Sequence, residues 1–595
     1  MTELNQIYTG QIVEGKKKLV RLNRSLIWLS IFRFLFFISA LIVPFLLYTL
    51  SVFAAVAVPV LLMVFFVVAL KYYAKLGRRK EFEQHKLNVN QHELDALQHH
   101  FHQFDDGKQY INPEHFYSYD LDLFGRGSLF QFLNRTVTLG GSQLLASFLE
   151  LPLFNTTQIV DRQQLVKELA GDYQWRQTFA ANGKMYAENE SENELFSKWE
   201  QDDFTLKTFS FANILLLILP VISLFTLLFW IFKDNSSLFV LSGIVQLGLW
   251  VVEKKNINRL YVQFGKRANL LKKYGHLLTM IESFNWQSNE GKAMYQKMKK
   301  SGIPSVEIRK LEKLIAAFDN RNNIFAGIVL NLIFAWDVRC SYQIIKWHNR
   351  NRQFFGEWGK NIAFIDAVCS LSNFTFNHPE YSFPEFTAEF SINSTRMGHP
   401  LIRPDKRIDN DFQFSPDSNV IIVTGANMAG KSTFLRTIGV NMVLGMCGAP
   451  VCAAAMRFKP VGLFSNMRTT DSLFDDESYF FAELKRIKAI LDEIDKGHEM
   501  LIILDEILKG TNSVDKLSGS QKLIQRLIKN NVPSIIATHD LKLTEMAKQF
   551  QGKVQNKCFE IVIENNEMHF DYQLRDGATS IMNATFLMRK MGIIE

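Results

Sequence analysis

The chain has 595 residues, too many for a single hydrophobic core, so several domains are expected. Apolar residues make up 47% and the formal net charge is +8, mild for this length, so charge does not mark a nucleic-acid binder. Five scattered cysteines (Cys340, Cys369, Cys447, Cys452 and Cys558) show neither a disulfide framework nor a zinc spacing, and predict reduced, buried thiols.

In chain order, residues 1–25 read as a basic tail carrying Lys16, Lys17, Lys18, Arg21 and Arg24. From Phe34 to Leu70 the chain is almost wholly apolar, and the run SALIVPFLLYTLSVFAAVAVPVLLMVF holds no charge. A membrane-crossing helix needs about 20 apolar residues, so residues 26–72 predict a hairpin of two, turning near Leu47–Ser51. Pro44 and Pro59 would break soluble helices but are tolerated in membrane ones. A second hairpin is predicted over 207–253, from Phe211–Phe232 and Leu238–Val252. The last of these is short and contains Gln246, which makes it the weakest of about four spans. Lys71, Lys75, Arg78, Arg79 and Lys80 follow the first hairpin, and Lys254, Lys255 and Arg259 follow the second. Positive flanks stay in the cytoplasm, which predicts a multi-pass membrane protein with everything after residue 255 cytoplasmic. The first run is too long for a cleaved signal peptide and lacks a small-residue cleavage site. The competing reading is a buried helical core in a soluble protein. Topology explains the basic flanks better than a DNA- or lipid-binding patch does. His99–His102, with His115, show no metal-ligand spacing and read as linker or helix surface.

The segment NVIIVTGANMAGKSTFLRTIG reads strand, glycine loop, helix. Val420–Thr424 are the strand, and Gly425, Gly430, Lys431 and Ser432 fill G-x-x-x-x-G-K-[ST]. Glycines let the backbone N–H groups of Gly425, Ala426, Asn427, Met428, Ala429 and Gly430 close around phosphates, with Lys431, Ser432 and Thr433 completing a nucleotide site. Lys431 would neutralise the β- and γ-phosphates, and the Ser432 hydroxyl would reach Mg²⁺. Downstream, MLIILDE (Met500–Glu506) is a buried strand whose Asp505 would share the Mg²⁺ shell with Ser432, and Glu506 is placed to polarise an attacking water. A third strand, PSIIATHD, brings His539 to sense the γ-phosphate. Lys431, Glu506 and His539 are thus the predicted catalytic residues of an ATP hydrolase using Mg²⁺. LSGSQ (Leu517–Gln521) resembles the signature of ABC transporters but lies after the Asp-Glu strand instead of before it, and reads as the start of a helix.

These motifs also resemble the MutS family of DNA mismatch repair ATPases. TGANMAGKST is close to that family's loop, DEILKGTNSVD to its Asp-Glu strand and following turn, and ATHD to its histidine motif. MRTTDSLFDDESYFFAEL is similar to its trans-acting signature loop, with Ser478, Phe480 and Glu483 at matching positions. In the family that serine completes the ATP site of a partner protomer, so the resemblance implies a homodimer through the ATPase domains. Upstream, Asp122–Leu153 resembles the family's helical core, Ile362–Phe374 the end of its lever helix, Arg396–Ile402 the start of its ATPase domain, and GATSIMNATFLMRKMGI its helical tail. The resemblance covers about two-thirds of the chain.

Departures are equally informative. No N-terminal mismatch reader fits the first hundred residues, and FGE (Phe355–Glu357) and FAE (Phe481–Glu483) are not its wedge. Residues 256–345 are short of room for a full DNA clamp. Arg407 stands where the family often stacks an aromatic on adenine, and a guanidinium plane would stack there instead. Asp476 and Tyr479 replace usual residues of the signature loop. The expected domains are a basic tail (1–25), transmembrane hairpin 1 (26–72), a linker and first part of a helical core (73–206), transmembrane hairpin 2 (207–253), a helical core and lever (254–390), and an ATPase domain with a helical tail (391–595). The fold class is multidomain α and α/β: membrane hairpins, an all-α MutS-like core and lever, and a C-terminal P-loop, ABC-type ATPase domain. The predicted function is a membrane-anchored, DNA-binding MutS-like ATPase, of the kind associated with mismatch repair, that binds and hydrolyses ATP in a dimer to move its helical core. Its partners are ATP, the membrane and a second copy, with DNA a candidate but not mismatch-specific. A membrane mechanochemical ATPase without a DNA role is the alternative, and an ABC-like transporter ranks below both.

Overall fold

Two helices of 46 residues open the chain, α1 (Thr2–Leu47) and α2 (Val52–Leu97). At 1.5 Å per residue each is about 69 Å long. They run antiparallel, Phe36 stacking on Phe65 at 5.8 Å and Phe37 lying 5.7 Å from Phe66. The chain reverses at the expected turn, where the Ser51 hydroxyl caps α2 by accepting from Ala54 N at 3.3 Å. Pro44 and Pro59 both lie inside helices. Near the turn the apolar side chains are bare, Phe45 being 83% and Phe53 82% exposed. The computed structural model describes residues 2–49, 51–186, 188, 203–206, 209–265, 267–300, 302–426, 428–468, 479–508, 512–564, 567–579 and 594.

Residues 2–25 of the expected tail are the first half of α1. Leu4, Tyr8 and Ile12 recur at helical spacing and are buried. The Tyr8 hydroxyl donates to Asn377 Oδ1 at 2.7 Å, which docks this end of the hairpin onto the helical body.

The body begins with α3 (Leu129–Leu133), α4 (Leu139–Glu150), α5 (Thr156–Gly171) and α6 (Tyr173–Lys184). The second apolar pair follows as α7 (Phe209–Lys233) and α8 (Ser237–Phe264). Gln246, which made the last predicted span look weak, is fully buried between them; its Nε2 donates to Ser223 Oγ, while its Oε1 is buried without a partner among the described residues. By length and composition α1, α2 and α8 suffice to cross a membrane; the described apolar part of α7, Ile218–Lys233, is shorter. Next come α9 (Ala268–Ser283), α10 (Asn289–Lys299) and α11 (Pro304–Phe318), the last with proline in its first turn. An apolar helix that the sequence reading passed over, α12 (Ile324–Phe334), packs on α7 and α8. After it the chain bends by 77° at Ala335, φ +45°, into the 42-residue α13 (Trp336–Asn377).

Helix α13 is the spine. Ile344, Ile345, Trp358, Ile362, Ile365 and Leu371 are buried along it, against α4, α5 and α11. Two buried carboxylates fix its far end. Glu93 of α2, 3% exposed, accepts from Arg135 Nε at 2.6 Å and from Asn373 and Asn377 Nδ2, both at 2.9 Å. Asp366 of α13 accepts from Val137 N at 3.0 Å, Thr138 N at 2.8 Å and Thr138 Oγ1 at 2.6 Å, at the start of α4.

The remainder is α/β. A four-stranded sheet has the order β1-β5-β2-β3, from β1 (Glu385–Phe386), β2 (Ile392–Met397), β3 (Asn410–Phe414) and β5 (Ala455–Phe458). A six-stranded sheet has the order β10-β9-β4-β8-β7-β6, from β4 (Val420–Gly425), β6 (Gly462–Asn466), β7 (Met500–Asp505), β8 (Ser534–Thr538), β9 (Val554–Glu564) and β10 (Glu567–Asp576). Only β10 runs antiparallel to its neighbour. Helices α14 (Lys431–Met446), α15 (Tyr479–Asp495) and α16 (Ser513–Lys529) connect the strands. Every residue of β4 is buried, as expected of a central parallel strand covered on both faces. The segment before α3 seals this unit to the helical body. Asp120 accepts from Ser465 Oγ at 2.9 Å and Arg468 N at 2.8 Å and pairs with Arg486 at 3.0 Å. All five cysteines are buried and free.

Burial pushes the Asp366 carboxyl up to about 6, against the donors from Thr138 and Val137 that favour its charge. The folded state therefore binds this proton more tightly than the unfolded chain, and stability falls as pH rises from about 4 to about 6, then levels off. Asp366→Asn turns an NH₂ donor toward the Val137 and Thr138 donors. It should cost about 2 kcal/mol at pH 7 and remove that slope, both read from urea midpoints between pH 4 and 8.

Candidate functional site

Strands β4, β8 and β7 are parallel neighbours, so their carboxyl ends open at one edge of the sheet. In open α/β sheets this edge is where ligands sit. The loop leaving β4 needs glycine at two places. Gly425 has φ +152°, and a Cβ there would come within 2.8 Å of the Phe559 carbonyl. Gly430 has φ +101° and precedes α14, and a Cβ there would meet the Tyr572 ring at 3.1 Å. Ala429 is buried behind the loop and Met428 is 80% exposed at its tip.

Lys431 opens α14 and curls back, its Nζ donating to the carbonyls of Gly425 at 2.6 Å and Ala426 at 2.8 Å. Burial pushes its ammonium down, while Asp505 and Glu506 oppose that. Ser432 Oγ donates to Asp505 Oδ2 at 2.5 Å, tying the start of α14 to the end of β7. Glu506 sits at φ +64°, its N–H bound to the Ala537 carbonyl at 2.9 Å. Its carboxylate meets His539 Nδ1 at 3.1 Å and the Lys516 ammonium of α16.

A cavity of about 640 Å³ opens above these groups. Ala426, Met428, Gly430, Lys431, Ser432, Thr433, Asp505, Glu506 and His539 line it, and Arg407, His399 and Tyr572 face them. Gly425 and Ala429 shape the loop from behind. Asn427 and Ser478, together with most of the signature-like segment and the C-terminal tail, lie outside the described residues. The fork of Arg407 is engaged: Nε pairs with Asp409 at 2.7 Å and Nη1 donates to the Tyr381 hydroxyl at 3.1 Å. Burial, with Arg436 and Arg407 nearby, pushes His399 down to about 4, so it faces the cavity as a neutral imidazole at pH 7.

Three neighbours, Lys516, Tyr572 and His399, escaped the sequence reading, and a fourth, Glu483, was placed only by resemblance. Lys516 lies one turn inside α16, and the cap that sets that helix, Asn512 accepting from Asp515 N at 2.9 Å, was its only signal. Tyr572 reaches the loop through a register shift between β9 and β10, which no motif announces. His399 follows Gly398 in a segment read only as the start of a domain. Glu483 was placed by resemblance alone; it is 2% exposed, and its carboxylate accepts the Leu508 N–H at 2.6 Å. Leu508 is itself at φ +57°, so Glu483 braces the strained turn that follows Glu506.

Fold and site together define an α/β unit that gathers a glycine loop, a lysine, a serine–aspartate pair and a glutamate–histidine pair at one sheet edge, carried on a helical body. Residues 421–586 match the family model described as MutS domain V, and residues 115–189 match MutS domain III. The chain therefore carries these two domains and is a relative of the MutS proteins. It is similar to proteins named DNA mismatch repair protein MutS from several bacteria. The relative from Caldanaerobacter subterraneus is 26% identical over 495 residues, 74% of this chain and 54% of that one. The relative from Thermotoga maritima is 29% identical over 233 residues, 38% and 28% of the two chains. The relative from Orientia tsutsugamushi is 30% identical over 226 residues, 36% and 25%. The chain thus spans between a quarter and about half of the length of these relatives.

Removing the brace under Glu506 is directly measurable. A hydrogen bond to a buried carboxylate contributes about 1.5–3 kcal/mol, so Glu483→Ala should speed hydrogen exchange at Leu508 by about 10- to 100-fold. Exchange across β4 should stay as in the wild type.

Proposed function

We propose that this chain is a membrane-anchored, MutS-like ATP hydrolase whose nucleotide cycle moves α13 and the helices attached to it. One observation carries the reading: the glycine loop with Lys431, the Ser432–Asp505 pair and the Glu506–His539 pair converge on one cavity. The names of the relatives and the two domain matches agree with it. The N–H groups of the loop and of the first turn of α14 would bind the phosphates. Lys431 would leave the carbonyls of Gly425 and Ala426 for the β- and γ-oxygens. Ser432 Oγ and Asp505 Oδ2 are adjacent hard oxygens, a fit for Mg²⁺, which takes the rest of its shell from water and phosphate. Bound there, Mg²⁺ supplies positive charge beside the transferred phosphoryl group. Glu506 would orient the attacking water and accept its proton, held in place by His539 Nδ1 and by the turn that Glu483 braces. A second copy would bring Ser478 to the same site, making the ATPase unit a homodimer.

The two apolar hairpins are the anchor in this reading, their basic flanks holding the ATPase in the cytoplasm. The load is the membrane-embedded helices, because the Glu93 network ties α2 to α13. DNA is the second reading, supported by the relatives' names; mismatch reading is not part of the proposal.

Purified full-length protein decides between these. Glu506→Gln should keep ATP binding and lose hydrolysis by about 10²- to 10⁴-fold, the usual weight of a general base. Ordinary turnover in that variant would overturn the assignment. Lys516→Met removes the cation that competes for Glu506 and should raise kcat several-fold with KM unchanged. A fall in kcat would instead make Lys516 a helper of the base. Turnover should respond to lipid composition and not to duplex, mismatched or branched DNA at low salt. Stimulation by DNA that fades steeply with salt would favour the second reading.

A further inference from the structure

We infer that α12 is a re-entrant membrane element that enters the bilayer from the cytoplasmic side, lies beside α7 and α8, and turns back at Ala335, with its outer face against lipid acyl chains. The inference rests on the membrane reading above and adds an element that hydropathy alone did not reveal.

From Asn322 to Trp336 the chain carries no charge. Helix α12 has 11 residues, about 16 Å, too short to cross a bilayer core of about 30 Å. Its depth can be read against α8. At its start, Arg321 donates to Asn258 Oδ1 at 3.0 Å and Asn322 to the Tyr261 hydroxyl at 2.7 Å, both in the polar part of α8 beyond Val252. Toward its end, Leu332 lies against Gly243, where an added Cβ would sit 3.2 Å from its Cδ2. Gly243 is about 22 Å along α8 from Asn258, well inside the apolar stretch. The chain then returns: Asp337 accepts from Trp250 Nε1 at 3.1 Å and pairs with Arg321 at 3.5 Å. Entry and exit are thus held together by one ion pair at the polar end of the apolar layer, beside a tryptophan, a residue suited to that boundary.

The chain cannot continue across in α13. That helix carries Asp337, Arg339 and Lys346 in its first three turns, and Ile344 and Ile345 are buried against the helical body. At the break Asn331 Oδ1 accepts the Asp337 N–H at 2.9 Å, so the backbone donor freed by the bend keeps a partner. Facing away from α7 and α8, Phe325, Ile328 and Val329 form an i, i+3, i+4 stripe, 85%, 55% and 53% exposed. The neighbouring α8 also carries exposed apolar residues, Val251 and Ile244 among them, and its basic residues Lys254, Lys255 and Arg259 mark the level of the headgroups. A bilayer is the occupant that matches an uncharged stripe bounded by this polar and basic rim.

The test uses the full chain in sealed vesicles. All five native cysteines are buried, which keeps background labelling low. Phe325→Cys, Ile328→Cys and Val329→Cys are made singly, with Val60→Cys in the first hairpin as the lipid control and the exposed Leu151→Cys as the water control. The α12 variants should resist a membrane-impermeant maleimide that labels Leu151→Cys. After labelling in detergent and reconstitution, an environment-sensitive dye at these sites should show blue-shifted emission quenched by lipids carrying acyl-chain nitroxides. If Val60→Cys behaves as lipid-buried while the α12 variants react freely and their dye stays in water, α12 is not re-entrant and the anchored reading stands. If Val60→Cys also reacts freely, both readings fall.

Discussion

A carboxylate removed from water is stable only when its oxygens are occupied, and the architecture depends on how Glu93 meets that demand. Its partners come from separate stretches of chain: Arg135 from the α3–α4 junction and Asn373 and Asn377 from the end of α13. Losing Arg135 would leave the Glu93 charge buried without its counter-ion, a cost of several kcal/mol. The same Asn377 receives the Tyr8 hydroxyl, so both arms of the first hairpin converge on one turn of α13. The hairpin is therefore fastened to the body by directional bonds, and its apolar length beyond them is left bare.

Helix α13 then links regions that no short connection could. At about 63 Å it is long enough to run from the bend at Ala335 to the strands of the α/β unit. Just beyond its end, His378 stacks on Tyr381 at 4.8 Å, and the Tyr381 hydroxyl receives Arg407, which lines the cavity. A packed sequence of side chains thus joins the cavity to α2 through Tyr381, His378, Asn377 and Glu93. At the cavity the same economy of charge recurs. Lys431 is held by carbonyls, Asp505 by Ser432, and Glu506 by Lys516 and His539, so each buried ion has a partner within the fold.

Much of the α/β unit was legible in the sequence because its constraints are local. A strand buried on both faces must be apolar throughout, and a loop with φ beyond +100° at two positions must have glycine there. Gly425 and Gly430 fall where the motif places them, and Lys431, Ser432, Asp505, Glu506 and His539 line one cavity. The turn at Leu47–Ser51 was legible for a similar reason, since uninterrupted apolar helices must reverse at their polar gap. The basic tail was misjudged because charge count hid the stripe Leu4, Tyr8 and Ile12, which becomes meaningful only once α13 lies beside it. Helix α12 was missed because 11 apolar residues are too few for a span and look like core.

The sequence by itself determined the first apolar hairpin and its turn, the glycine positions of the loop and the identity of the groups at the strand ends, because each follows from short-range stereochemistry or composition. Only the tertiary structure decided which groups hold Glu506, that Arg407 faces Asp409 and Tyr381, that the Gln246 amide nitrogen donates to Ser223, and that the chain bends by 77° after α12. These depend on which side chains meet across tens or hundreds of residues, and burial energies that select such meetings are properties of the packed whole, with no period or motif to betray them in the chain.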